Sequence, residues 1–409
     1  MSLAMHDVLI IGGGVIGLSL AWELANRGRS VHVIDQSEPG REASWAGAGI
    51  LPPAGRRAGQ HPYEQLAALA AELHPQWATE LLATTGIDNG YRRCGGLYLA
   101  QTPGEAAALA AWTENLREEG VEVERISAER LLEVEPGLGE AGRGELFREA
   151  AQDCTYPGSS TQYPVLGTRY SVLGTRSAAR VAASGFLVPT ESQIRNPRHL
   201  AALQAACRQA GVAITSHSAA GDVGIAGSEI VEINTPAGPL RARQYCFTAG
   251  AWTGPLLARL GIATGIVPIR GQMVLFRCAA PPVKHVVNVG SRYLVPRDDG
   301  RLLAGSTEEE AGFDKRTTDE AIAELTAFAR SIIPALREAE IERTWAGLRP
   351  GSFDGLPYLG RLPSLANAFV ASGHFRSGLF LSPATAVVMA QAICGEATQV
   401  ELAPFRVGR

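Results

Sequence analysis

The sequence has no C-x-x-C pair: its six cysteines, Cys94, Cys154, Cys207, Cys246, Cys278 and Cys394, stand far apart in 409 residues. Scattered thiols of this kind exclude a zinc site of the usual spacing and fit a reducing cytoplasm better than a disulfide framework. The eight histidines are equally dispersed, with none paired at helical or strand spacing, so no metal site is expected. An excess of one charge is lacking too. A net charge of −4 and a pI near 6.1 give no reason to expect nucleic acid or an anionic membrane as partner. No secretory segment is visible. The apolar run near the N-terminus carries three consecutive glycines, has no basic flank and is too short to span a bilayer. The opening MSLAM, with its second methionine at Met5, reads as a prefix outside the fold. Neither a paired-carboxylate nor a Ser/His/Asp constellation can be placed, and there is no second G-x-G-x-x-G for a pyridine nucleotide. The chemistry is therefore expected to reside in a bound cofactor.

What is present is organised around residues 7–35, DVLIIGGGVIGLSLAWELANRGRSVHVID. Asp7 to Ile11 reads as a parallel strand buried on both faces. Gly12, Gly14 and Gly17 fill a G-x-G-x-x-G frame. The first permits a tight turn, the second lets a pyrophosphate approach the backbone, and the third lets the next helix pack on the strand. That helix, Val15 to Arg27, offers its free N–H groups and positive dipole end to phosphates. Asp35 closes a second strand where an acid bonds a ribose hydroxyl, which argues against NADP. Strand, turn, helix and acid in register predict dinucleotide binding without separating FAD from NAD.

The chain is longer than one typical core, so two domains are expected. After the turn Pro39-Gly40 comes REASWAGAGILPP, small residues against which a flat cofactor can lie, with Ser44 placed to bond a phosphate. Residues 62–84 and 103–119 carry helical spacing, and YRRCGGLYLA between them reads as a strand. Asn196 is expected as a helix cap with Pro197 at the first position, leading to a strand at Val212–Thr215. Between these blocks Tyr163–Arg169 is repeated as Tyr170–Arg176, a duplicated heptapeptide read as a surface insertion at about 159–184. In the second half, YCFTAGAWTG is a strand ending in small residues, VPIRGQMVLFRC is a strand, and Asp298-Asp299-Gly300 marks a hairpin between Arg292–Arg297 and Leu302–Ser306. Antiparallel strands here imply a second sheet. The last block returns to strand, glycine turn and helix, so the nucleotide domain is discontinuous.

Arg349 lies in AGLRPGSFDGLP and Arg376 in GHFRSG, both in glycine-rich turns at strand ends. A guanidinium so placed offers a planar fork matched to a carboxylate. Tyr293, opening YLVPR, would add a hydroxyl to the same carboxylate or pack on the sheet. The turn Gly373–Gly378 aims N–H groups outward, where a ring carbonyl gaining negative charge would be stabilised.

GGGVIG with Asp35, TAGAWTG, YLVPR-x-DGR-x-x-x-GST, WAGLRPG-x-x-DG-x-P and GHFRSG together resemble the D-amino-acid oxidase family of FAD-dependent oxidoreductases, in its glycine oxidase (ThiO) branch, over nearly the whole chain. The resemblance implies an α/β fold: a Rossmann-like, discontinuous FAD-binding domain (1–86, 187–266 and 349–409) and an α+β substrate domain on an antiparallel sheet (87–186 and 267–348). It implies a noncovalent FAD held by Gly12, Gly14, Val15, Ile16, Gly17, Asp35, Gln36, Ala43, Ser44, Ala48, Gly49, Ile50, Ala220, Gly373, His374, Phe375, Arg376, Ser377, Gly378, Leu379 and Phe380. Arg349 would pair with the substrate carboxylate, assisted by Tyr293 and Arg376, with no side chain acting as acid or base. The implied reaction is oxidation of glycine, another small amine or a D-amino acid by hydride transfer to flavin N5. Dioxygen would take the electrons to give H2O2, and the imine would become an oxo acid and ammonia or serve thiazole synthesis for thiamine. A homo-oligomer is the family habit. A dehydrogenase passing electrons to a quinone or carrier, and a non-catalytic flavin-binding subunit, are the alternatives. Two features depart from the family pattern: the duplicated heptapeptide, and Glu308, an acid where the family has methionine near the substrate, which would favour an amino group or alter side-chain preference.

Overall fold

The structure is a computed structural model and describes residues 5–138 and 185–409. The insertion at about 159–184 lies outside the described residues. The first strand, His6–Ile11, sits inside a six-stranded sheet whose order runs Tyr358–Arg361, Ala368–Ser372, Ala242–Phe247, His6–Ile11, Val31–Ile34 and Ala213–Thr215. Neighbours pair in parallel except for Tyr358–Arg361 at one edge. Alternation along the first strand explains why it reads as continuously apolar. Val8 and Ile10 face a core built with the helices Val15–Asn26, Pro62–Thr85, Asn196–Gln209 and Gly378–Cys394. Leu9 and Ile11 face a second core with Ile230, Ile233 and Leu257. That second face is covered by a three-stranded meander spanning Val223–Leu240. Trp22 and Trp77 meet edge to face at 4.8 Å between the first two of those helices.

One described helix, Phe375–Cys394, is long and apolar enough to cross a membrane, yet 72% of its apolar window is buried within the protein. It packs on the helices Val15–Asn26 and Pro62–Thr85, so its apolar surface is a core.

The second sheet has eight strands in the order Glu340–Gly351, Val267–Arg277, Arg301–Gly305, Arg292–Pro296, Val286–Val289, Gly96–Leu99, Gly185–Val188 and Glu124–Ile126. The expected hairpin across Asp298–Gly300 is there, with Tyr293 opposite Gly305. The sheet is antiparallel apart from Val286–Val289, which runs parallel to Gly96–Leu99. Alternation encodes which face a residue takes but not its partner strand, so this pairing is invisible in the sequence. The helix Asp319–Ile332 covers one face through Leu325, Phe328 and Ala329.

Two local expectations are corrected. The strand Glu340–Gly351 continues past Arg349, which is paired opposite Ile269 within the sheet and does not sit in the turn that follows. Asn196 does not cap its helix. The capping position is Arg195, without a side-chain bond, because the Asn196 carboxamide donates to the Ser44 carbonyl at 2.7 Å.

Candidate active site

A cavity of about 590 Å³ is lined from both sheets. At one end it meets the glycine turn. Gly12 takes φ +113°, a left-handed conformation that glycine adopts without strain. A side chain at Gly17 would meet the Gly12 carbonyl at 2.0 Å, so the helix and strand touch backbone to backbone there. The helix beginning at Val15 has neither a side-chain cap at Gly14 nor an acid in its first turn. Its own residues therefore leave its positive end without a cap or an acid, and that end opens on the cavity through Gly14, Val15 and Ile16.

Asp35 lines the same end. Its carboxylate accepts from the Gly13 amide and the Ser37 amide, both at 2.8 Å, tying the turn to the second strand. Oδ1 also accepts from the Ser37 hydroxyl at 3.1 Å, so it is Oδ2 that keeps a lone pair with which to accept a ribose hydroxyl. Ser44 Oγ accepts from the Val15 amide at 2.9 Å, which leaves its own proton free for a phosphate oxygen. The loop carrying Ala43, Ser44, Ala48, Gly49 and Ile50 lies along the cavity, with Gln36 and Ala220 nearby. Arg297 fixes that loop. Fully enclosed, it donates to the carbonyls of Ala48 at 2.6 Å and Ile194 at 3.1 Å, and to Gln193 Oε1 at 2.6 Å. Burial, with Arg195 and Arg92 nearby, pushes its pKa down to about 9. The helix end open to the cavity, the Asp35 carboxylate and the small-residue loop fit a dinucleotide cofactor.

At the other end His374, Phe375, Arg376, Ser377, Gly378, Leu379 and Phe380 line the wall. His374 is buried, which pushes its pKa down to about 3, and its Nε2 lies 3.1 Å from Thr385 Oγ1. A neutral imidazole bonded into the core supplies no charge to the site. Gly17 and Gly373 do not line the cavity. Gly17 packs helix on strand. Gly373 takes φ +79° against the Tyr358 ring, so its part is to turn the chain.

Arg349, Arg376 and Tyr293 come together on this cavity. Arg349 donates from Nη1 to the Thr307 carbonyl at 3.2 Å and from Nη2 to Ser306 Oγ at 2.5 Å. Both acceptors are neutral, and among the described residues it has no carboxylate at ion-pair distance. Gly271 makes room for it, since a side chain there would meet the guanidinium at 2.1 Å. Arg376 donates to the Ser291 carbonyl at 3.1 Å. Burial and the nearby Arg349 push its pKa below the usual arginine value. Tyr293 Oη contacts Met273 Sδ at 3.5 Å, a weak partner that leaves the hydroxyl free to engage a ligand. Two guanidinium forks and a phenol facing one space are suited to a carboxylate.

Thr248 to Trp252, within the TAGAWTG motif, also line the cavity, whereas other lining residues carry no sequence signal of their own. Tyr98 and Asn288 line the cavity and both donate to Glu191, Asn288 Nδ2 at 3.2 Å. Glu191 is fully buried, which pushes its pKa up to about 7. The folded protein thus binds this proton more tightly than the unfolded chain. The stability contributed by this proton is full below about pH 4.5 and declines as pH rises to about 7. The shift sets a ceiling on the order of 3 kcal/mol. Melting temperatures measured from pH 5 to 8 should fall less for Glu191→Gln than for wild type; parallel curves would show that the carboxyl stays ionised.

The family model described as FAD dependent oxidoreductase (DAO) matches residues 7–162 and 167–392. The chain is similar to the glycine oxidases of Pseudomonas aeruginosa, at 33% identity with 97% of each chain covered, and Pseudomonas putida, at 34% with 98% of this chain and 97% of that one. It is 28% identical to the bifunctional protein ThiO/ThiG of Trichormus variabilis, covering 99% of this chain and 55% of that one. The crystal structure of glycine oxidase from Geobacillus kaustophilus superposes with a TM-score of 0.84 at 30% identity, covering 99% of each chain.

Proposed function

We propose that this chain, which belongs to the DAO family of FAD dependent oxidoreductases, oxidises glycine or a similarly small amino acid. The observation that carries the reading is Arg349: a guanidinium on the cavity wall whose partners among the described residues are one carbonyl and one hydroxyl, with no carboxylate. The curated relatives named glycine oxidase support it over nearly the full length.

When bound, FAD supplies the two-electron acceptor and hands its electrons to dioxygen, so that glycine, O2 and water give glyoxylate, ammonia and H2O2. Arg349 would hold the substrate carboxylate in a two-point grip and so orient the α-carbon for reaction. Tyr293 adds a hydroxyl to that grip, and Arg376 borders it. None of these side chains serves as an acid or base, so positioning is the protein's main contribution. The first turn of Gly378–Cys394, which holds no acid, offers positive potential to the cofactor's polar edge. The ThiO/ThiG relative supports a role in supplying thiazole synthesis for thiamine.

The same reading makes the amino acid and dioxygen the partners, without nucleic acid or membrane, in the cytoplasm, with a homo-oligomer as the working form. It places FAD noncovalently in a discontinuous domain of residues 1–86, 187–266 and 349–409, and the substrate on residues 87–186 and 267–348. The test is peroxide yield under air. One H2O2 per glycine consumed supports the oxidase; glycine-dependent reduction of a quinone with little peroxide would make the protein a dehydrogenase.

Asp35→Ala should raise the FAD dissociation constant about tenfold, the worth of a charged hydrogen bond. Turnover at saturating FAD should stay near wild type, because the acid is remote from the arginine pair. Titration of apoprotein with FAD checks this, and unchanged affinity would remove Asp35 from the ribose.

A further inference from the structure

The two arginines of the site differ in one respect. Among the described residues Arg349 has no carboxylate at ion-pair distance, whereas Arg376 Nη1 lies 3.6 Å from Glu308 Oε2. Glu308 follows directly on Ser306 and Thr307, the two residues that bond Arg349, so one short stretch of chain sets the charge around both guanidinium groups. The three charges sum to +1. One substrate carboxylate, taken by Arg349, brings the cluster to neutrality. A second carboxylate would find Arg376 already matched and would face the negative charge of Glu308.

We infer that Glu308 is a specificity-determining residue: by occupying Arg376 it excludes amines and amino acids with two carboxylates and confines the site to monocarboxylates. The inference rests on the reading that Arg349 takes the substrate carboxylate. Glu308 acts through Arg376 and is a positioning residue for it. It selects by charge, and its side chain is 40% exposed, so substitution leaves the core intact.

The test uses the FAD-loaded protein and reads binding directly, as the perturbation of the flavin absorbance by acetate and by malonate, with iminodiacetate and glycine compared in turnover. In Glu308→Gln the ratio of malonate to acetate affinity should rise at least about tenfold, the effect of removing a like charge several ångströms away in a partly buried site. kcat/KM for iminodiacetate relative to glycine should rise in parallel, chiefly through KM. Glu308→Asp keeps the charge and should retain the wild-type discrimination. An unchanged ratio in Glu308→Gln, or an aspartate variant behaving like the glutamine one, would overturn the inference. If acetate binds Arg349→Ala as well as wild type, the carboxylate assignment falls and this inference with it; if acetate binding needs Arg349 but the ratio does not respond to Glu308, only the role of Glu308 is lost.

Discussion

Arg349→Ala should lower kcat/KM for glycine at least about tenfold to a hundredfold, the worth of a charge-assisted bidentate pair of roughly 1.5–3 kcal/mol. The loss should be confined to substrate. Among the described residues Arg349 bonds Thr307 and Ser306 alone, so FAD content and melting temperature should survive. Arg349→Lys should recover part of the activity, because an ammonium restores the charge without the planar fork. Amines without a carboxylate never use the contact and should be affected less than glycine. Equal losses on both substrate types would show that Arg349 supports the fold or the flavin.

Alanine at two glycines of the same turn should have opposite signatures. At Gly17 a Cβ would lie 2.0 Å from the Gly12 carbonyl and 2.7 Å from Thr248 Oγ1. The carbonyl is backbone in the turn directly after a central strand, held by the Gly12 amide's bond to the Ile34 carbonyl, so Gly17→Ala should cost about 1–3 kcal/mol, the usual penalty of overpacking. Its melting temperature should drop even without FAD. At Gly14 the nearest atom is Ser44 Oγ at 3.2 Å, and the backbone is extended at φ −72°. Gly14→Ala should leave the apoprotein nearly as stable as wild type but weaken FAD binding by tenfold or more, since the methyl group would stand where phosphate approaches the helix end. Melting curves with and without FAD separate the two. A Gly14 variant that binds FAD normally would mean that the phosphate does not approach there.

The nucleotide end of the fold was legible because its determinants are local: an apolar strand, three glycines, a helix and an acid lie within 29 residues of one another. The arginines were legible as chemistry but not as geometry. The strand running on through Arg349 and the gap left by Gly271 depend on pairing between two distant segments. Asn196 was read as a cap because Asn-Pro before a helix has that local meaning, while its bond to Ser44 spans 152 residues. Glu191 gave no signal at all. Its partners Tyr98 and Asn288 are brought to it by the sheet from 93 and 97 residues away. Glu308 was marked only by the family resemblance, which implies a place near the substrate, and the structure adds its partner, Arg376.

Anaerobic addition of glycine to the FAD-loaded protein tests the central claim most directly. The oxidised flavin absorbance band should bleach as glycine transfers its electrons, more weakly in Arg349→Ala, and should return when air is admitted. A band left unchanged by glycine, sarcosine and small D-amino acids alike would contradict it.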